Sequence, residues 1–157
     1  MDDASLSLLS SIVRTQAVGS LGTLHEGAPA VSMVPVVAGK DCSAFYFLAS
    51  ALASHTRDIL ADSRTSLMLM DHLDASREPQ SLARVSLSGQ SHPLDRTATE
   101  YRDAESLYTS RFPEAEQLFQ LGDFSLFRFN PVAGRFVAGF AKAFSITVND
   151  LRRTTSR

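Results

Sequence analysis

The sequence predicts a mainly β protein with several helices, an α+β fold in which an antiparallel sheet closes into a barrel with helices at its ends. Short apolar runs alternate with polar residues, and Gly, Pro, Asn and Asp separate these runs. Regular alternation of strand and helix is absent, which disfavours a doubly wound parallel sheet. An open α+β sandwich is the alternative to the barrel.

The N-terminal half is predicted to hold a helix, a hairpin and a buried strand. Apolar residues recur at near-helical spacing over residues 4–15, which predicts a short amphipathic helix. Two strand-like runs, at 18–25 and 30–37, are joined through Gly27, which permits a tight turn. The continuous apolar run at 44–49 predicts a strand that is buried on both faces.

The C-terminal half is predicted to contain further strands and helices. They are a helix at 52–61, strands at 65–70 and 83–93, helical segments at 95–110 and 112–121, and strands at 124–129 and 135–144. Polar residues alternate with Val85 and Leu87, so Arg84 is expected off the core face. A turn at Asn130 and Pro131 is expected to separate the last two strands.

Length and composition limit the possible classes of protein. The 157 residues suit one domain, which we expect over residues 1–148, with a flexible tail at 149–157. Lys and Arg total 15 and Asp and Glu 17, a near balance that argues against nucleic-acid or membrane binding. The single cysteine, Cys42, excludes an internal disulfide and fits a cytoplasmic protein.

The most informative segment is the predicted start of the helix at 52–61. It gathers Ser54, His55, Thr56 and Arg57 in one helical turn after a buried strand. Unpaired N–H groups and the positive end of the helix dipole favour an anion there, and arginine adds charge-assisted hydrogen bonds. These four residues predict a phosphate site, although each alone is also typical of an ordinary helix surface.

A second unusual segment, 121–143, mixes aromatic residues, small residues and cations at strand-like spacing. Arg135, Phe140 and Lys142 are ordinary surface or core residues in one interpretation and ligand contacts in the other. Together with the phosphate site, they indicate a flat, phosphorylated, aromatic ligand.

The sequence offers no recognisable catalytic or metal motif. The four histidines lack the paired spacing of a metal site, and the nearest cluster joins His72 to Asp71 and Asp74. The glycines match neither a P-loop nor a dinucleotide fingerprint. Catalytic residues therefore stay unassigned, and no metal is expected.

Several ordered blocks give the chain a family resemblance over residues 6–144. The blocks are GTL at 22–24, SMVP at 32–35, LASHTR at 52–57, RVSLSG at 84–89, GDF at 122–124 and RFVAGF at 135–140. With these blocks the chain resembles the pyridoxamine 5′-phosphate oxidase-like FMN-binding split barrels, and among them the haem-utilisation branch.

The resemblance implies FMN at the interface of a homodimer. Residues Ser54 to Arg57 would hold the FMN phosphate in that case. The implied flavin neighbours are Ser32, Met33, Val34 and Arg84, and the implied closing residues, from the same or the partner subunit, are Arg135, Phe140 and Lys142.

Two departures from the family pattern bear on function. The vitamin-forming oxidases carry a substrate-gripping lysine on the hairpin strand, where this chain has Pro35. Haem-handling relatives use a histidine near or beyond the C-terminal end of the barrel, whereas this chain has none after His92, although Asp123 matches an acidic residue near their haem site. We therefore predict a small FMN-dependent oxidoreductase acting on a small molecule. The alternatives are a haem-binding or haem-degrading protein and a non-catalytic protein that binds flavin or deazaflavin.

Overall fold

A computed structural model describes residues 1–72 and 78–156 of the chain. The strands are β1 (Val18–His25), β2 (Ala28–Pro35), β3 (Val37–Ala38), β4 (Phe45–Ser50), β5 (Arg64–Met70), β6 (Arg84–Pro93), β7 (Phe124–Gly139) and β8 (Lys142–Ile146). The helices are α1 (Asp3–Thr15), α2 (Ser54–Ala61), α3 (Thr99–Arg111) and α4 (Val148–Arg153), with 3-10 segments at Pro79–Ser81, Pro113–Gln120 and Thr154–Ser156.

The strands form one curled antiparallel sheet in the order β2-β1-β5-β6-β7-β4-β3, and β8 pairs with β7. This confirms the predicted α+β split barrel. The hairpin between β1 and β2 also forms as predicted, since Glu26 and Gly27 both take positive φ, at 50° and 82°, the conformation of hairpin turns that match strand twist.

The core fills the concave side of this sheet. Phe47 and Phe127 stack with ring centroids 5.3 Å apart, and both rings are buried. Helix α1 adds Leu9 and Ile12 to the same cluster. The outer face of β4 packs under α3 in a second cluster that includes Tyr46, so the prediction that this strand is buried on both faces is confirmed.

The predicted turn at Asn130 and Pro131 is wrong. Strand β7 continues through both residues to Gly139, and the chain reverses at residues 140–141, before β8. Opposite them, the register of β6 shifts between Ser88 and Gly89. Proline has no N–H to donate to the hydrogen-bond ladder, and a β-bulge interrupts the ladder locally, so a proline is tolerated there. This explains why Pro131 does not end the strand.

The segment predicted as a flexible tail, 149–157, contains most of helix α4 and a 3-10 segment that ends at Ser156. Residues 148–153 form α4, which starts with a capping box between Thr147 and Asp150. Leu151 is 1% exposed, and the Ser10 hydroxyl donates to the Thr154 carbonyl at 2.8 Å. One apolar anchor in a charged segment gives little periodic signal, so the sequence pattern missed this helix.

Residues 73–77, which include Asp74 of the weak metal cluster, lie outside the residues that the structure describes. None of the described helices is both long and apolar enough to span a membrane.

Candidate functional site

The turn between β4 and α2 is fixed by contacts with the segment before β7. The Ser50 hydroxyl donates to the Asp123 carboxylate at 3.0 Å and accepts the Leu52 N–H at 3.1 Å. The Ala51 N–H donates to the Asp123 carbonyl at 2.6 Å. These bonds hold the start of α2 in place. They also show that both the side chain and the backbone carbonyl of Asp123 are hydrogen-bonded within the fold.

The start of α2 is open to an anion. Its N-cap residue is Ala53, which supplies no side-chain acceptor for the first N–H groups of the helix. Ser54 and Arg57 are exposed in this first turn, and Arg57 forms no ion pair with any residue in the described ranges. The turn therefore combines free backbone donors, a hydroxyl and a guanidinium.

The other two predicted phosphate residues lie differently. Thr56 is buried, and its hydroxyl donates to the Ser50 carbonyl at 2.7 Å, so only its backbone N–H is left for a ligand. His55 is partly buried, and burial lowers its pKa. His55 is consequently a neutral imidazole at neutral pH and adds no charge to the site.

A buried carboxylate joins α2 to β1. Asp58 is 6% exposed and accepts from the Thr23 hydroxyl at 3.0 Å. Its second oxygen lies 2.7 Å from Nδ1 of His25, whose side chain is 53% exposed. The pair places a carboxylate-supported imidazole at the rim of the sheet, beside the first turn of α2. Sequence reasoning missed it, because 33 residues separate the two partners.

The His25–Asp58 pair should be pH-dependent. Its hydrogen bond raises the pKa of His25 and lowers the pKa of Asp58. The His25 contribution to stability is full below its unfolded pKa and is lost as pH rises through the raised folded value. The Asp58 contribution is full above its unfolded pKa and is lost as pH falls through the lowered folded value. The pair thus stabilises the fold between these two folded-state values.

We expect NMR titration of the His25 imidazole to give a pKa above the usual value of about 6.5. In Asp58→Asn, the His25 pKa should return toward that value. A His25 pKa that does not respond to Asp58→Asn would contradict the pairing.

The predicted flavin neighbours lie on the sheet itself. Val34 is 2% exposed and faces the core, whereas Met33 is 68% exposed on the outer face. Through successive strand pairs, Met33 is level with Ser20, Met68, Ser86 and Arg135. Met33 and Arg135 therefore share one outer row that crosses five strands.

Arg84 lies farther along the outer face. Its guanidinium donates to the Leu82 carbonyl at 3.0 Å. The register places Gly22 level with Ser88, four residues from Arg84, or about 13 Å at the rise of a strand. Since α2 contacts β1 just beyond Gly22, at Thr23, Arg84 is at the far end of the sheet from the α2 turn.

The last two predicted residues are also at that far end. Phe140 is 84% exposed in the turn between β7 and β8. Lys142 pairs with the Asp2 carboxylate at 2.8 Å. The structure thus brings together Ser54, His55 and Arg57, but within one subunit it does not bring Arg84, Phe140 or Lys142 to them.

The fold is that of a split-barrel protein, and the start of α2 leaves its first backbone N–H groups without a side-chain cap. The chain belongs to the CREG β-barrel family, whose model matches residues 6–151.

Two named relatives act on haem according to their names. The chain is 28% identical over 127 residues to haem oxygenase HutZ of Vibrio cholerae, which covers 80% of this chain and 71% of HutZ. It is 30% identical over 139 residues to the chloroplastic non-canonical haem oxygenase HOZ of Arabidopsis thaliana, which covers 85% of this chain and 40% of HOZ.

Solved structures show the same fold. A haem-binding protein from Mycobacterium smegmatis matches with a TM-score of 0.85 at 24% identity, over 98% of this chain and 62% of that one. A Clostridium acetobutylicum protein of the pyridoxinephosphate oxidase family matches with a TM-score of 0.71 at 14% identity, over 96% and 99% of the two chains. These likenesses show that the chain shares the fold of those proteins.

Proposed function

We propose that this chain is a haem-binding protein of the split-barrel type. The observation that carries the proposal is the His25–Asp58 pair at 2.7 Å beside the open start of α2. The names of the relatives HutZ and HOZ support it independently. The FMN-dependent oxidoreductase predicted from the sequence becomes the second candidate, because these named relatives are haem oxygenases.

The residues at the α2 rim fit haem. An imidazole that binds a metal usually has its other ring nitrogen on a carboxylate or carbonyl, and Asp58 occupies Nδ1 of His25, which leaves Nε2 for iron. Arg57 and the first N–H groups of α2 suit the propionates. Leu52 is 80% exposed and Leu60 64% exposed, and they offer apolar surface to a porphyrin. Bound haem would supply oxygen and electron-transfer chemistry at iron, while these residues bind and orient it.

Titration with haemin tests the proposal. We expect a saturable Soret band with one equivalent of haemin per chain, and the same titration of Arg152→Ala should match the native protein. Absence of a saturable spectral change would end the haem proposal and leave the FMN candidate standing.

The second candidate uses the same helix turn for the phosphate of FMN. We expect Arg57→Ala to weaken FMN binding by roughly 1.5 to 3 kcal/mol, the range for hydrogen bonds to charged groups, or about 10- to 150-fold. Arg152→Ala is the matched control. Fluorescence quenching of FMN measures both, and equal affinities for the two variants would contradict a phosphate site at α2.

The flavin candidates differ in turnover. Reduction of bound FMN by NADH or NADPH would favour an oxidoreductase acting on a small molecule. Retention of flavin or deazaflavin without reduction by either donor would favour a non-catalytic binding protein.

We further propose a homodimer with the cofactor between the subunits, as the family resemblance implies. The edge strand β2 exposes Val31 and Met33, which are 75% and 68% exposed, and such apolar patches mark interaction surfaces. A partner would also bring a second copy of Arg84, which one subunit leaves far from its own α2. Sedimentation equilibrium should give twice the chain mass for the native protein and one chain mass for Met33→Asp. A monomeric native protein at micromolar concentration would contradict the dimer.

A cytoplasmic location is proposed as well. The lone cysteine, Cys42, is buried and unpaired, which fits a reducing compartment. Cell fractionation with an antibody to the chain would check this location.

A further inference from the structure

A cavity lies away from the α2 rim. It opens between the C-terminal ends of α1 and α3 and the short strand β3, and it encloses about 410 Å³, within the size range of small-molecule sites. Its lining includes three cations and an apolar floor, namely Arg14, Lys40, Arg111, Val37, Ala38 and Leu107.

The cations leave this cavity with an excess of positive charge. Arg14 has no acidic side chain within ion-pair distance among residues 1–72 and 78–156. Lys40 meets only Asp103, at 3.4 Å, in an exposed pair of little energetic weight. The Arg111 guanidinium donates to the Thr15 carbonyl at the end of α1.

Each of the two helix C-termini contributes about half a negative charge. These ends and Asp103 do not balance three full positive charges. The cavity is therefore positive although the whole chain carries a formal charge of −2.

The floor of the cavity is apolar. Val37, Ala38 and Leu107 are only partly buried, so a ligand that covers them gains the free energy of removing apolar surface from water. An adjoining cavity of about 190 Å³ is lined by Glu100 and Asp103, and these carboxylates disfavour a second anionic group there. The charges thus orient an anion toward Arg14.

We propose that this cavity binds a small organic anion. Its acidic group contacts Arg14 and Lys40, and its ring or chain covers Val37 and Leu107. This site is separate from the cofactor site at α2, since the two share no lining residue.

The test is calorimetric titration of the full chain with 1-naphthyl phosphate in the presence of saturating FMN. We expect binding to the native protein and at least tenfold weaker binding to the double variant Arg14→Gln/Lys40→Gln. The double variant Arg96→Gln/Arg102→Gln removes the same charge from two exposed residues outside the cavity lining and should bind like the native protein. Neutral 1-naphthol and inorganic phosphate should each bind at least tenfold more weakly than 1-naphthyl phosphate.

Three results would overturn the proposal. They are no binding to the native protein, equal binding to both double variants, and binding that Arg57→Gln or FMN abolishes. The last result would place the probe at α2. Because FMN and haemin titrations test the α2 rim separately, failure of either site is distinguishable from failure of the other.

Discussion

Replacement of His25 by alanine is expected to remove the imidazole from bound haem. The Soret band should shift toward that of haem without a nitrogen ligand, and haemin affinity should fall by at least about 100-fold, more than the 10- to 100-fold typical for loss of a supporting residue. Asp58→Asn should fall within that smaller range, because it keeps the ligand but removes the carboxylate on Nδ1. Absorption titration and resonance Raman spectroscopy measure both effects.

The pH dependence gives an independent check on the same residue. Iron binds only the deprotonated Nε2, and the hydrogen bond to Asp58 raises the pKa of His25. Haemin affinity should therefore fall as pH drops below this raised pKa, and Asp58→Asn should move the fall to lower pH. The band position and affinity of the His25→Ala variant should show no such titration.

Two other histidines serve as controls. His92 is exposed near the end of β6, so His92→Ala should leave the spectrum unchanged. His55 is a neutral imidazole beside Arg57. A spectral change in His55→Ala, together with a native spectrum in His25→Ala, would indicate that the iron ligand is His55 on α2 and not His25 on β1. That result would contradict the role proposed for His25.

The sequence could predict the helix start that carries Ser54, His55, Thr56 and Arg57, but not the strand that packs against it. The cluster at residues 54–57 is local, so helix periodicity and residue type were sufficient to find it. The contact between Asp58 and His25 depends on the sheet, which places the end of β1 under α2. A lone surface imidazole and a helix aspartate carry no pattern that links them, and this is why the sequence interpretation treated His25 only as an unpaired histidine.

The family resemblance assigned to one cofactor site several residues that lie apart within a single subunit. Arg84 and Arg135 lie on the outer face of the sheet, and the alternation of polar and apolar residues predicted this for Arg84. Their distance from α2, however, depends on strand register. Register is set by pairing across the whole sheet and is not encoded in one strand. Their inclusion in one cofactor site therefore rests on the proposed dimer.

A local sequence pattern also gave a wrong prediction where the pairing of two strands decided the structure. An Asn-Pro pair is typical of a turn, yet at Asn130 and Pro131 the chain stays extended, because the facing strand β6 accommodates the proline at its register shift. Gly89 makes this possible. A Cβ at Gly89 would lie 2.8 Å from the Asn130 carbonyl carbon and 2.9 Å from the Pro131 Cα, and closer still to the Asn130 carbonyl oxygen.

Gly89→Ala is consequently expected to destabilise the fold by about 3 kcal/mol or more, at or above the upper end for overpacking. The clashing atoms are backbone atoms of β7, so no flexible side chain can move away, and relief requires separating β6 from β7 at the centre of the sheet. Gly122→Ala is the matched control, since its added Cβ meets nothing within 4 Å, and its effect should stay within about 1 kcal/mol. Urea unfolding of both variants measures the difference. A Gly89→Ala protein as stable as Gly122→Ala would show that β6 and β7 do not approach each other this closely, and the account of why Pro131 is tolerated within a strand would fail with it.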